Sequence, residues 1–321
     1  MTTVEHGPAE TVTLAGAPTN LLLPGHDVPI GRYTTVRRLL PQRARRMVGA
    51  WCFVDHFGPD DVSTSPGMRV APHPHTGLQT VSWLVEGEIL HRDSVGSVQP
   101  VAPGQLNLMT AGRGIAHSEN SPPVRPPSMH GIQLWIALPE DARHTPPRFE
   151  HHPAVPVVSE AGATMTVVVG SLAGEASPAR VHTPILGVEI LLPAGASVRL
   201  PLERSFEYGM LAMTGAARVA GVPLERGSLL YLGTDRPELT VEADRPARLF
   251  LLGGEPFAEP LVMWWNFVAR DHDEIVAARE DWMAGRRFGA VADDPDEPLP
   301  APAMPTTRLK SRTRDGSFLP R

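Results

Sequence analysis

Two short segments carry side chains of the types that bind metals. Ala71-Pro72-His73-Pro74-His75-Thr76-Gly77 places two imidazoles one residue apart, and Gly114-Ile115-Ala116-His117-Ser118-Glu119 places an imidazole and a carboxylate at the same spacing. In a β-strand, residues i and i+2 point to one face. His73 and His75 can therefore aim at one point, as can His117 and Glu119. Two such strands facing each other make a set of three histidines and one carboxylate. That donor set suits one divalent transition metal, with iron, copper, zinc, nickel and manganese all compatible. The chain has 13 histidines, so one His-x-His pair alone would carry little weight. The second pair, next to a glycine-rich run, turns the pattern into a site.

Strands must position these residues, and strand signals recur. Thr80 to Val85 is β-branched and aromatic, Glu86-Gly87-Glu88 makes a turn, and Ile89 to Asp93 returns as a hairpin. Leu106 and Leu108 alternate with polar neighbours after the turn at Gly104, and Ile132, Leu134, Ile136 and Leu138 share one face of a further strand. A similar layout follows over residues 187–252, with Gly215 standing where Gly87 stood and Gly227 where Gly104 stood. This is a weak internal repeat of one β unit. The second copy reads Pro201-Leu202-Glu203-Arg204-Ser205-Phe206-Glu207-Tyr208 at the matching place. It lacks the His-x-His pair and is expected to hold no metal.

The 321 residues, 42% hydrophobic and 20% charged, can bury a sizeable core. A net charge of −6 gives no basic stripe for a nucleic-acid surface. The basic clusters at Arg37 to Arg46 and Arg308 to Arg314 read as solvated. One cysteine, Cys52, excludes an intrachain disulfide; in its apolar run it is expected to be buried and inert. No signal peptide and no membrane-length apolar run are visible, so the expected location is cytoplasmic.

Prolines cluster between residues 139 and 156 and mark a boundary between the two copies. The expected organisation is an N-terminal arm (1–30), a metal-bearing β domain (31–145), a metal-free β domain with a terminal helix (146–291) and a disordered tail (292–321). The helix is read from Asp271 and Glu274 as a capping pair, with Ile275, Ala278 and Trp282 on one face. The tail lacks apolar periodicity and is expected to add little stability. His144, His151 and His152 read as exposed connector residues, His56 and His91 as structural, with a place behind the metal ligands or at the surface as the alternative, and Trp135 and Met109 as core or pocket wall. Gly112-x-Gly114 gives only weak support for a nucleotide site. Ser118, on the opposite strand face from His117, makes a poor nucleophile.

Gly67 with His73 and His75, then Pro103-Gly104 and His117, set among short strands in two copies, resemble a bicupin, a pair of small β-barrels. The match narrows at Val54-Asp55-His56-Phe57-Gly58-Pro59, Pro72 to Gly77, Glu86 to Ser94 and Asn107 to Glu119, which together resemble the pirin family. The resemblance is dense from Val54 to Pro139, fair through the second unit and weak at both ends. It implies an all-β fold of two cupin-type barrels with a short C-terminal helix. It also implies one metal held by His73, His75, His117 and Glu119, with Fe(II) expected and zinc, copper, nickel or manganese as alternatives. Gln79 stands where many cupins carry a carboxylate, which leaves that role to Glu119.

The implied activity is that of a quercetin 2,3-dioxygenase, which opens a flavonol ring with O2 and releases CO. Glu119 would be both ligand and catalytic base. The alternative is a non-catalytic metal- or redox-sensing regulator that acts through a protein partner. Neither reading involves direct nucleic-acid or membrane binding.

Overall fold

The computed structural model describes residues 8–12 and 20–317. Strands dominate, with one α-helix at His272–Met283, so the all-β expectation holds. That helix is too short to cross a membrane. The chain forms two compact units, and neither is continuous in sequence. One comprises residues 28–36, 57–153 and 258–321; the other comprises 1–27, 37–56 and 154–257.

The first unit carries the ligand-type residues. Its four-stranded sheet runs Arg69–His75, Ile115–Asn120, Ile89–Asp93, Val98–Val101. A seven-stranded sheet begins Arg148–His152, Leu106–Thr110, Leu78–Glu86, Ser128–Ala137. Leu78–Glu86 is the hub of the larger sheet and is buried on both faces over most of its length. Val81 lies between Leu108 and Leu134, and Trp83 between Leu106 and Ile132. By strand alternation, Thr80 and Ser82 then share the opposite face with Asn107, Met109, Gln133 and Trp135. That face looks toward the smaller sheet, as the contact of Trp135 with His75 shows. An apolar cluster of Val36, Phe57, Met68, Leu84, Ile89, Val101 and Met129 closes one end of the unit.

The second unit is filled by apolar side chains, among them Val188, Ile190, Met210, Leu230, Leu249 and Leu251. The strands read from the repeat are present as Ile185–Leu192, Ala196–Pro201, Glu207–Thr214, Ala216–Val219, Ser228–Gly233 and Ala247–Gly254. Cys52 is fully buried, as its apolar run predicts.

Domain membership differs from the sequence reading at both ends. The described part of the arm is not separate: Asn20–Pro24 pairs antiparallel with Ser228–Gly233, extending the sheet of the second unit. Leu23 is fully buried there. The helix packs on the first unit, not the second. Ile275 and Ala278 bury against Ala116, Val262, Phe267 and Phe288. Residues 292–317 are ordered onto the same unit, in place of the expected disordered tail; residues 318–321 lie outside the described residues, as do 1–7 and 13–19 of the arm. The tail's anchors include polar contacts to residues distant in sequence, which apolar periodicity cannot reveal. Leu299 N–H donates to the Pro72 carbonyl at 2.8 Å. Trp282 Nε1 donates to the Leu299 carbonyl at 2.8 Å. Arg69 pairs with Asp296 at 2.8 Å and Asn120 donates to Asp294 at 3.0 Å.

A hairpin of Val262–Trp264 and Phe267–Ala269 precedes the helix and lies along the end of the His73 strand. Val268 N–H donates to the Thr76 carbonyl at 3.1 Å. Gly77 sits at φ +70°, and a Cβ there would run into the Val268 carbonyl. Only glycine allows this approach.

Truncation after Val291 should therefore lower the thermal midpoint by about 2–3 °C, the scale of one to two kcal/mol in a chain of this size. Differential scanning calorimetry on full-length and truncated protein checks this. An unchanged midpoint would mean that the tail contacts contribute nothing.

Candidate metal centre

The His73 strand and the His117 strand pair antiparallel, with His73 opposite His117 and Ile115 opposite His75. The register slips between His117 and Glu119, because Glu119 faces Val70. The extra residue lies on the His73 strand, at Ala71 and Pro72. Proline lacks an N–H for the ladder, so this is a low-cost place for a bulge. The bulge leaves His117 and Glu119 at uninterrupted i, i+2 spacing.

All four sequence-predicted residues are buried. The three imidazole centroids lie 4.4 to 5.0 Å apart. His75 Nε2 and His117 Nε2 are 3.0 Å from each other. His73 Nδ1 lies 2.9 Å from the Ala71 carbonyl and His75 Nδ1 lies 3.1 Å from the Asn266 carbonyl. A carbonyl only accepts, so Nδ1 carries the proton in both rings and Nε2 keeps a lone pair. Ligand atoms of the three histidines fall within 4.8 Å of one another.

Glu119 is placed differently. It groups within 4.8 Å with His117 and His91, not with all three histidines. Ser82 Oγ donates to Glu119 Oε1 at 3.2 Å and draws the carboxylate toward the larger sheet. The structure thus brings His73, His75 and His117 together and sets Glu119 beside the last of them.

The donor set fits a transition cation. The His75 Nε2 lone pair faces His117 Nε2 at 3.0 Å, a contact that a proton on His117 Nε2 or a cation between the two must bridge. The second ring nitrogens of His73 and His75 are tied back to carbonyls, the arrangement that orients metal-ligating histidines. Burial pushes the His73 ring down to about 4, although its bond to Ala71 opposes this. Burial also drives His75 and His117 well below the ordinary histidine range, with neighbouring imidazoles adding to the effect. All three are neutral at pH 7, the form a metal requires. Burial raises the Glu119 carboxyl against the opposing influence of His91 and Ser82. Burial opposes ionisation of Asp93 too, but hydrogen bonds from His91 and Ser97 outweigh it and hold that carboxyl low.

Other residues singled out in the sequence fall as follows. Gln79 is turned away from the imidazoles and its amide donates to Thr110 Oγ1 at 2.9 Å. Trp135 meets His75 edge-on at 5.1 Å and packs against the imidazole cluster. His151 is not a loop residue. It lies in the strand Arg148–His152 and its Nδ1 is 2.6 Å from Asn107 Oδ1. His91 is central to the site, stacked on Phe149 at 4.3 Å. The signal was present: His91-Arg92-Asp93 is a third i, i+2 pair of polar ligand-type residues. Asn266, which orients His75, lies 191 residues away in sequence, and no local pattern points to it.

The chain resembles known proteins over most of its length. The family model described as Pirin matches residues 33–136, and the Pirin C-terminal cupin domain matches residues 187–289. A Pseudomonas aeruginosa protein named "Putative quercetin 2,3-dioxygenase" is 46% identical over 277 residues, covering 86% of this chain and 88% of that protein. A crystal structure of quercetin 2,3-dioxygenase from Acinetobacter baumannii superposes with a TM-score of 0.87 at 44% identity, covering 90% of this chain and 97% of that one. A bacterial pirin from Escherichia coli in complex with nickel(II) shares the fold, with a TM-score of 0.60 at 19% identity over 74% of this chain and 99% of that one.

The buried neutral imidazoles fix a pH dependence for the metal-stripped protein. Between the His73 value of about 4 and roughly 6.5, the imidazoles of the unfolded chain are protonated while the native ones are not. The unfolded state then binds more protons, so stability rises with pH across this window and is lost as pH falls. The slope approaches about 1.4 kcal/mol per pH unit for each imidazole. Glu119, raised in the native state, works in the opposite sense, but as one group against three. The thermal midpoint of chelator-treated protein should be lower at pH 5 than at pH 7. A midpoint equal or higher at pH 5 would contradict the neutral buried cluster.

Proposed function

The chain belongs to the pirin family, and from that premise we propose that it is a mononuclear metal-dependent dioxygenase of flavonol-like substrates. Such an enzyme opens the central ring of quercetin with O2 and releases CO and a depside. The observation that carries the proposal is the buried convergence of three neutral imidazoles beside a buried carboxylate. His73, His75, His117 and Glu119 would hold the metal, and Fe(II) is the expected ion, with zinc, copper, nickel or manganese as alternatives. The name of the Pseudomonas aeruginosa relative and that of the Acinetobacter baumannii structure support the substrate class. The nickel complex of the Escherichia coli pirin supports a metal in this family.

The bound cation supplies Lewis acidity toward the 3-hydroxyl and 4-keto edge of the flavonol and a route for electrons to O2. The protein's own groups do the rest. Glu119 is buried, near the imidazoles, and its carboxyl is raised toward the range where a base is effective. It accepts the 3-hydroxyl proton, and the Ser82 hydroxyl steadies it through Oε1. The electron-rich flavonolate then reacts with O2 at C2. Trp135 and Met109, both buried, supply an apolar wall for a planar aromatic ligand. Asn107 lies on the same sheet face, opposite Ser82. Its Oδ1 accepts from His151, while its buried Nδ2 meets no acceptor among the described residues. That amide is a donor ready for a substrate oxygen.

Elemental analysis of purified protein should give one metal per chain, lost in His73→Ala/His75→Ala. Oxygen uptake and CO release with quercetin should be measurable on Fe(II)-loaded protein. Glu119→Gln keeps shape and a ligating oxygen but removes the base, so turnover should fall by roughly two to four orders of magnitude with metal partly retained. Full activity in Glu119→Gln would overturn the base assignment. No flavonol turnover with any of the five metals would favour a metal- or redox-sensing regulator that acts through a protein partner.

A further inference from the structure

Behind His117 stands a second line of polar groups that the proposed reaction does not use. Asp93 and His91 are both nearly inaccessible. They lie on the strand next to His117, with Asp93 opposite His117 and His91 opposite Glu119. The two oxygens of Asp93 divide their partners. Oδ1 accepts the Val95 and Ser97 amides at 3.0 and 2.9 Å in the turn that follows the strand. Oδ2 lies 3.0 Å from His91 Nε2. His91 Nδ1 lies 3.5 Å from His117 Nδ1, and its ring is pinned by stacking on Phe149.

The proton positions follow in sequence. A carboxylate only accepts, so His91 Nε2 carries the proton. With its proton on Nε2, His91 offers Nδ1 as an acceptor 3.5 Å from His117 Nδ1, which favours the His117 proton on Nδ1. His117 Nε2 then keeps the lone pair that ligation requires, as His73 and His75 do; in the other tautomer it would instead donate to the His75 Nε2 lone pair at 3.0 Å. His117, with no carbonyl partner, is instead oriented by a histidine that a carboxylate holds in turn.

We propose that Asp93 and His91 are positioning residues that fix the Nδ1–H tautomer and ring orientation of His117, so that its Nε2 lone pair is directed at the metal. The inference rests on the reading of His73, His75 and His117 as metal ligands. It excludes a second cation at the grouping of His91, His117 and Glu119, because both His91 nitrogens are already engaged. His91→Phe removes the acceptor and keeps an aromatic ring against Phe149. His91→Gln restores an acceptor oxygen at a comparable reach. Asp93→Asn keeps an oxygen for the turn amides and removes the charge.

The test is calorimetric titration of chelator-stripped protein with Ni(II), paired with nitrogen-15 NMR of the imidazole nitrogens in the metal-free state at neutral pH. The wild type should bind one Ni(II) per chain and show His117 protonated at Nδ1. His91→Phe should weaken Ni(II) binding by about 10- to 100-fold, the usual scale for loss of an outer partner, and mix the His117 tautomers. His91→Gln should recover most of the affinity, and Asp93→Asn should fall between. Affinity within twofold of wild type in His91→Phe, or an unchanged His117 tautomer, would overturn the proposal. If His91→Phe does not fold by circular dichroism, Asp93→Asn decides: unchanged affinity and tautomer there would overturn it equally. Two Ni(II) per chain, falling to one in His91→Phe, would make His91 a ligand instead. A wild type that binds no Ni(II) and no Fe(II) would remove the metal-centre reading, while NMR would still report whether His91 sets the His117 tautomer.

Discussion

Two imidazole Nε2 atoms held 3.0 Å apart inside a protein, with a proton or a cation to bridge them, are a constraint that the surrounding structure must maintain. Left free, the rings would rotate, take up protons or separate. His75 is held by its bond to the Asn266 carbonyl and His117 by its contact with His91, and burial disfavours the charged form of both. The antiparallel register of the His73 and His117 strands sets the distance, and the bulge at Ala71 and Pro72 lets Glu119 keep its own face. Much of the first unit can be read as support for that pairing. The Ile89–Asp93 strand backs His117, and the larger sheet supplies Ser82 to Glu119 and Trp135 to His75.

The chain after the second unit belongs to the same support. Its hairpin lies against Thr76 and Gly77 and places the Asn266 carbonyl on His75. Trp265 in the turn sits at φ +52°, a conformation that favours glycine. The helix and the ordered residues beyond it bury Ala116, the neighbour of His117 in sequence. The ligands and the groups that orient them therefore come from two stretches of sequence separated by more than a hundred residues, and local loosening at the C-terminal end would reach His75 through one hydrogen bond.

The ligand-type residues were legible because strand geometry converts i, i+2 spacing directly into a shared face. The strands of both units were legible for a related reason: alternation at Leu106 and Leu108, or at Ile132 to Leu138, reflects one buried face. The family motifs pointed to two cupin domains, and the matches over residues 33–136 and 187–289 agree. What escaped the sequence was long-range. Nothing local assigns the helix at His272–Met283 to the first unit, because its apolar face would fit many partners. The tail reads as disordered because proline and charge dominate it, yet Asp294, Asp296 and Leu299 each find a specific partner. His91 reads as structural and His151 as an exposed connector residue because their partners, His117 and Asn107, lie on other strands.

The central claim is that three histidines and Glu119 surround one metal. X-ray absorption fine structure on Ni(II)- or Fe(II)-loaded protein tests it most directly. The account predicts nitrogen and oxygen neighbours at about 2.0–2.2 Å, with outer-shell scattering that fits three imidazole rings, and with one ring fewer in His75→Ala. A spectrum that fits only oxygen donors, or one unchanged in His75→Ala, would contradict it.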